Sequence, residues 1–283
     1  MNNASYQRGR SRKRIKKRNT AKTLLRMVIV ALVAIGVILL VMYIMGYRYL
    51  TNKTDAGTVK YFGKADSSGT LTHGTLYYSD GNRGRVNGTT KTVVYTNGDE
   101  YSGELSKLLK TGYGTVKYAN GDVYEGNFEN DKFNGTGKFT YTNNDVYEGE
   151  FKNGIIEGKG KITFKDGSFY EGEFKNGKRN GTGKYTVNET SYYEGTFSED
   201  MKNGNGIYVY SNGDRYEGQF VSDVRQGHGI YTWSTGEVYE GEFVNNDMCG
   251  TGTYKWVSGR VYVGQFENGQ IVDSQSITTT TES

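Results

Sequence analysis

The stretch YEGEFKNGKRNGTGKYTVNETSY, residues 170–192, is one period of a pattern that returns every 23 residues. Its opening Tyr-Glu-Gly-x-Phe recurs with tyrosines at Tyr101, Tyr124, Tyr147, Tyr170, Tyr193, Tyr216, Tyr239 and Tyr262. A second comb, Gly-x-Gly, keeps step with it at Gly112/Gly114, Gly135/Gly137, Gly158/Gly160, Gly181/Gly183, Gly204/Gly206, Gly227/Gly229 and Gly250/Gly252. Self-similarity at a fixed period marks a linear array in which each unit buries surface only against its neighbours. Function is then to be sought on a long surface rather than in a pocket.

Within the period, residues 169–174 and 181–187 both alternate and are rich in β-formers, so each repeat reads as a hairpin. The fold class expected is all-β, an elongated single-layer meander of β-hairpin repeats. Successive strand side chains point opposite ways. Tyr170, Gly172 and Phe174 therefore share one face with Gly181, Gly183, Tyr185 and Val187, while Glu171, Glu173, Thr182, Lys184 and Thr186 share the other. The loop at residues 118–124 cannot be a two-residue Asn-Gly turn, which would send Tyr118 and Tyr124 to opposite faces. A type I turn with a left-handed bulge residue at Gly121 keeps the parity. The equivalents are Asn144, Gly167, Gly213, Gly236 and Gly259; Thr190 is the misfit, and the turn at residues 188–191 is expected to be built differently.

On the first face a glycine leaves a slot that a neighbouring ring can cover. Tyr124, Phe128, Tyr147, Phe151, Tyr170, Phe174, Tyr193, Phe197, Tyr216, Phe220, Tyr239, Phe243, Tyr262 and Phe266 make up this row. They are read first as structural cover for glycine, and they are also the candidate interaction groove. Trp233 and Trp256 fall in the register of Tyr118, Tyr141, Phe164 and Tyr210 and read as variants of the same packing. On the other face Glu125, Glu148, Glu171, Glu194, Glu217 and Glu240 form a ladder beside lysines such as Lys159, Lys161 and Lys184. Cross-strand pairs on a solvated face explain it better than a row of metals, since no cluster has calcium-loop spacing.

The N-terminal end reads differently. Residues 27–45 carry no charge and are extended backwards by Leu24 and Leu25, which is long enough to span a bilayer. Ten Lys and Arg precede this segment, and no acidic residue occurs before Asp55. Basic flanks stay on the cytoplasmic side, so a single-pass helix with the N-terminus inside and the repeats outside the plasma membrane is expected. No small-x-small cleavage site follows the apolar stretch, which favours an uncleaved signal-anchor. The expected organisation is a basic cytoplasmic tail at 1–23, the transmembrane helix at 24–46, a linker at 47–57, degenerate short β repeats at 58–92, the array at 93–272 and a disordered Thr-rich tail at 273–283. The short repeats are carried by a Thr-x-x-Tyr that returns every 17 residues at Thr58, Thr75 and Thr92.

Beyond the basic segment 25 Lys and Arg face 31 Asp and Glu, a mildly acidic balance that argues against anionic lipid as the array's ligand. The basic segment, beside a transmembrane helix, reads as a topology and inner-leaflet signal rather than a nucleic-acid site. Cys249 alone forms no internal disulfide and falls in the register of Asn134, Asn180 and Asn203, read as a loop. With His73 and His228 the only histidines, and no phosphate loop, nucleophile elbow or zinc spacing, no catalysis, cofactor or metal is expected.

The Tyr-Glu-Gly, Asn-Gly and Gly-Thr-Gly elements at a 23-residue period resemble the MORN repeat family over about residues 93–272. Glu follows the tyrosine except at Ser102 and Val263, Phe replaces the tryptophan often found at the fifth place, and the first copy has Leu105. The resemblance implies a twisted meander of hairpins used as a scaffold or membrane-associated interaction module. The expected role is an outward-facing scaffold that binds a protein or self-associates. The alternative is a module for cell-surface carbohydrate, cell wall or lipid, in which the tyrosine rings would lie open to stack on sugars.

Overall fold

The computed structural model describes residues 4–272 and 277–279, and the chain divides into two compact units, Met1–Thr96 and Asn97–Ser283. In the first unit, helix Ala4–Ile44 runs without a break, so the segment read as a basic tail is helical backbone from Ala4 onward. Its part Thr20–Ile44 is long and apolar enough to cross a membrane, and none of it is buried. Five antiparallel strands follow, Tyr47–Thr54, Gly57–Ala65, Leu71–Tyr77, Arg83–Asn87 and Thr92–Tyr95.

Residues 47–57 are therefore not a linker. Leu50 pairs with Tyr61 across the hairpin, and the Tyr47 and Phe62 rings pack 6.0 Å apart. The alternation of Tyr47, Tyr49 and Thr51 with smaller or charged neighbours is a strand pattern. Further along, Tyr61 is fully buried over the paired Gly63 and Gly74, and its hydroxyl donates to the Lys64 carbonyl at 2.7 Å. The first short repeat thus carries the same tyrosine-over-glycine unit as the long ones.

In the second unit each strand pairs antiparallel with its sequence neighbours from Glu100–Ser106 to Arg260–Glu267. Phe169–Lys175 and Lys178–Thr186 show the plan. Tyr170 faces Tyr185 and Gly172 faces Gly183, but Phe174 faces Arg179, so Glu173 stands opposite three residues. Such an irregularity bends the strand and strengthens its twist. Gly181 sits in this step at φ +87°, a conformation glycine adopts without strain. The two-residue tip Asn176-Gly177 has φ of 50° and 79°, the paired left-handed geometry of a type I′ turn.

At the opposite end the three-residue loops form as parity requires. The Gly167 N–H donates to the Phe164 carbonyl at 2.9 Å, the Phe164 N–H donates to the Ser168 carbonyl at 2.8 Å, and Gly167 has φ +88°. Where Thr190 replaces the left-handed residue the loop is rebuilt. The Asn188 side-chain oxygen accepts from the Thr190 and Ser191 N–H groups at 3.0 and 2.9 Å. Cys249 lies in strand Asp247–Lys255 rather than in a loop, because its register is the irregular step inside the hairpin. Of the C-terminal tail, Ile277–Thr279 is a strand against Arg260–Tyr262, and the remainder of 273–283 lies outside the described residues.

Candidate functional site

The aromatic row is core. None of the fourteen rings from Tyr124 to Phe266 is more than 6% exposed, and Tyr124, Tyr147, Tyr170, Tyr216 and Tyr239 are 0% exposed. Tyr124 lies over Gly137, where an added Cβ would stand 2.7 Å from its ring, and its hydroxyl donates to the Asn127 carbonyl at 2.9 Å. Its ring meets Phe128 edge-to-face at 5.1 Å and Phe151 of the next repeat at 5.2 Å. The same alternation continues to Tyr262 and Phe266, 5.3 Å apart. Burial raises the phenols, those of Tyr170, Tyr193, Tyr216 and Tyr239 to about 12.

A further layer closes the row from outside. Phe133 stacks on Tyr124 at 3.7 Å, and at the same place in later repeats Arg179 lies 5.7 Å over Tyr170, Lys202 5.8 Å over Tyr193 and Arg225 5.5 Å over Tyr216. A single sheet can bury tyrosines because long side chains lie flat across them. Trp233 belongs to this packing, half-buried and 4.6 Å from Tyr231 and 5.3 Å from Tyr254. The row placed in the candidate groove is thus closed to a partner, and its rings are not open for sugar stacking.

The concave surface lies on the other face. A groove of about 1240 Å³ runs from Glu148 to Gly218, walled by Glu148, Glu171, Glu173, Glu194 and Glu217 with Lys159, Lys161 and Lys184. Phe169 and Ile207 contribute apolar patches, and the glycine pairs Gly160/Gly172 and Gly183/Gly195 bring bare backbone to the floor. Ion pairs cross the strands at Lys138–Glu148, 2.9 Å, and Lys184–Glu194, 3.3 Å. Their side chains are about half exposed, so each pair contributes only about 0.2–1 kcal/mol. Parity shows which residues share a face but not toward which face the sheet curls. The hairpin step at Glu173, signalled by the first glycine of each Gly-x-Gly, supplies a local bend that parity does not capture. Among the described residues no group of three or more His, Cys, Asp or Glu is placed to hold a metal.

Comparison with solved structures finds weak likenesses. The wild-type TCP10 domain of Danio rerio CPAP in complex with a peptide of Danio rerio STIL is 14% identical, covers 82% of this chain and 100% of that chain, and has a TM-score of 0.44. The SAS-4 (dCPAP) TCP domain in complex with a proline-rich motif of Ana2 (dSTIL) of Drosophila melanogaster is 16% identical, covers 68% and 86%, and has a TM-score of 0.31. No curated protein matches the chain. The MORN repeat family model matches in seven consecutive blocks, residues 101–123, 124–146, 147–169, 170–186, 193–215, 216–238 and 239–259. The copy at Tyr262 lies beyond those blocks, yet it keeps the buried tyrosine and its hydroxyl bond to the Gln265 carbonyl at 3.1 Å. With more than half of its residues matched, and each matched block folded as the hairpin described above, the chain belongs to the MORN repeat family.

Proposed function

We propose that this protein is a single-pass membrane-anchored interaction module, with a cytoplasmic basic N-terminus and a MORN array displayed outside the plasma membrane to bind a protein partner or a second copy. The observation that carries the interaction role is the separation of the two faces. The rings that hold the array together are shut away, and the exposed concave face offers charge, apolar patches and bare backbone in one groove. The anchor reading is supported by the apolar span Thr20–Ile44 and by the eight Lys and Arg that precede it. Chain length serves the same role. At about 4.8 Å per strand the eight repeats make a spacer of roughly 75–80 Å.

Proximity labelling on intact cells tests the interaction role, with the full chain compared against one lacking residues 101–259. Loss of the labelled neighbours in the deletion supports the reading, and an unchanged set overturns it. Protease added to intact cells tests the topology. Digestion of the repeats is expected, protection would place them inside, and recovery of the repeats in the medium would make the helix a cleaved signal.

A further inference from the structure

Resting on that reading, we infer that the groove takes a cationic, amphipathic segment of a partner protein. The lining holds five carboxylates against three ammonium groups, and two of the three lysines are engaged at the groove wall. Lys161 Nζ lies 4.1 Å from the Phe169 ring centre, and Lys184 Nζ lies 4.0 Å from that of Tyr192 and 3.3 Å from Glu194. A cation held against an aromatic face or a carboxylate is only weakly free to meet an incoming anion.

Along the ladder the alternation of acid and base then fails. Glu148 and Glu171 both face Lys161, and Glu171 and Glu194 both face Lys184, but the next position between carboxylates is Ile207, which pairs with Glu194 on one side and Glu217 on the other. This end of the groove is therefore an apolar side chain flanked by carboxylates. A segment that fills it needs an aliphatic group between cations. Both flanking carboxylates are ion-paired at the surface, Glu194 with Lys184 at 3.3 Å and Glu217 with Arg215 of its own strand at 2.6 Å, where exchange costs little. The same field repels phosphate and anionic lipid headgroups, which disfavours a nucleic acid or a membrane surface as occupant.

The test uses the full chain in non-ionic detergent micelles and two fluorescent synthetic peptides, one of Lys and Leu in amphipathic order and one with Glu in place of Lys. Two double variants change net charge equally: Glu171→Gln with Glu217→Gln in the groove, and Glu189→Gln with Glu267→Gln outside it. The Lys peptide is expected to bind, to weaken with added salt, and to lose about fivefold to tenfold in affinity with the groove pair, while the outer pair moves it less than about twofold. Equal loss with both pairs would mean diffuse attraction and overturn the assignment. So would binding of the Glu peptide, or of neither. If the labelled neighbours still depend on the array in that case, the interaction role stands and only the partner class fails.

Discussion

The Tyr170 hydroxyl donates to the carbonyl of Glu173, three residues ahead in its own strand, at 2.9 Å. Glu173 is the residue that faces three partners across the hairpin, so its carbonyl leaves the regular ladder and the phenol completes it. The ring between the two groups lies on Gly172 and Gly183. One side chain thus covers the backbone and satisfies it, and the relation recurs from Tyr101 to Tyr262.

Removing only the hydroxyl, Tyr170→Phe, is expected to cost about 1–3 kcal/mol, because a carbonyl is left without its partner while the ring stays. Gly183→Ala is expected to cost about 1–3 kcal/mol by overlap with the ring. Urea unfolding of both and of the double variant checks this. Strongly non-additive losses are expected, since both act on one ring.

Arg179 is held over Tyr170 by the tip of the next hairpin. The Arg179 N–H donates to Asp200 Oδ1 at 2.9 Å, and Nε lies 3.3 Å from the same oxygen. Asp200 has φ +71°, and Asn246 does the same work for Arg225 at 2.9 Å with φ +76°. Asp200→Asn is therefore expected to be nearly neutral, whereas Asp200→Ala loses acceptor and turn preference together, about 1–2 kcal/mol. Thermal unfolding with hydrogen exchange at the tip separates the two.

Cys249 occupies a register in which Glu157 and Gln226 accept the first N–H of the next tip, from Asn176 at 2.9 Å and Asn245 at 3.2 Å. A thiol is a weak acceptor. Cys249→Asn is expected to stabilise the last tip by about 0.5–1 kcal/mol and to slow exchange at Asn268. No change in that exchange would contradict the register argument.

Burial raises the phenols of Tyr101, Tyr170, Tyr193, Tyr216 and Tyr239 from 10 to about 12. A group raised in the folded state contributes stability that is complete below its unfolded value and lost as pH rises through the folded one. The array is therefore expected to lose stability between pH 10 and about 12. Tyrosinate absorbance and the β-sheet circular dichroism signal should change together. Full tyrosinate formation in that range with the sheet intact would contradict the burial.

Period and parity made the hairpins, the two faces, the three-residue loops and the rebuilt loop at Asn188 legible in the sequence. Other features were hidden for physical reasons. Strand Tyr47–Thr54 was masked because aromatic residues after an apolar helix also fit a membrane boundary. Tips such as Glu199-Asp200 were not recognisable, since two successive left-handed residues there carry no glycine. Alternation carries no information about which face is concave, so the sequence alone does not separate the groove from the aromatic face.

The most direct test of the two-face account places a photo-crosslinking residue in intact cells either at Asn205, exposed in the groove, or at Val187, exposed just past the end of strand Lys178–Thr186 in the aromatic-face register. Discrete crosslinked species are expected from Asn205 and absent from Val187. Crosslinks from Val187 with none from Asn205 would put the partner on the face assigned here to structure and contradict the account.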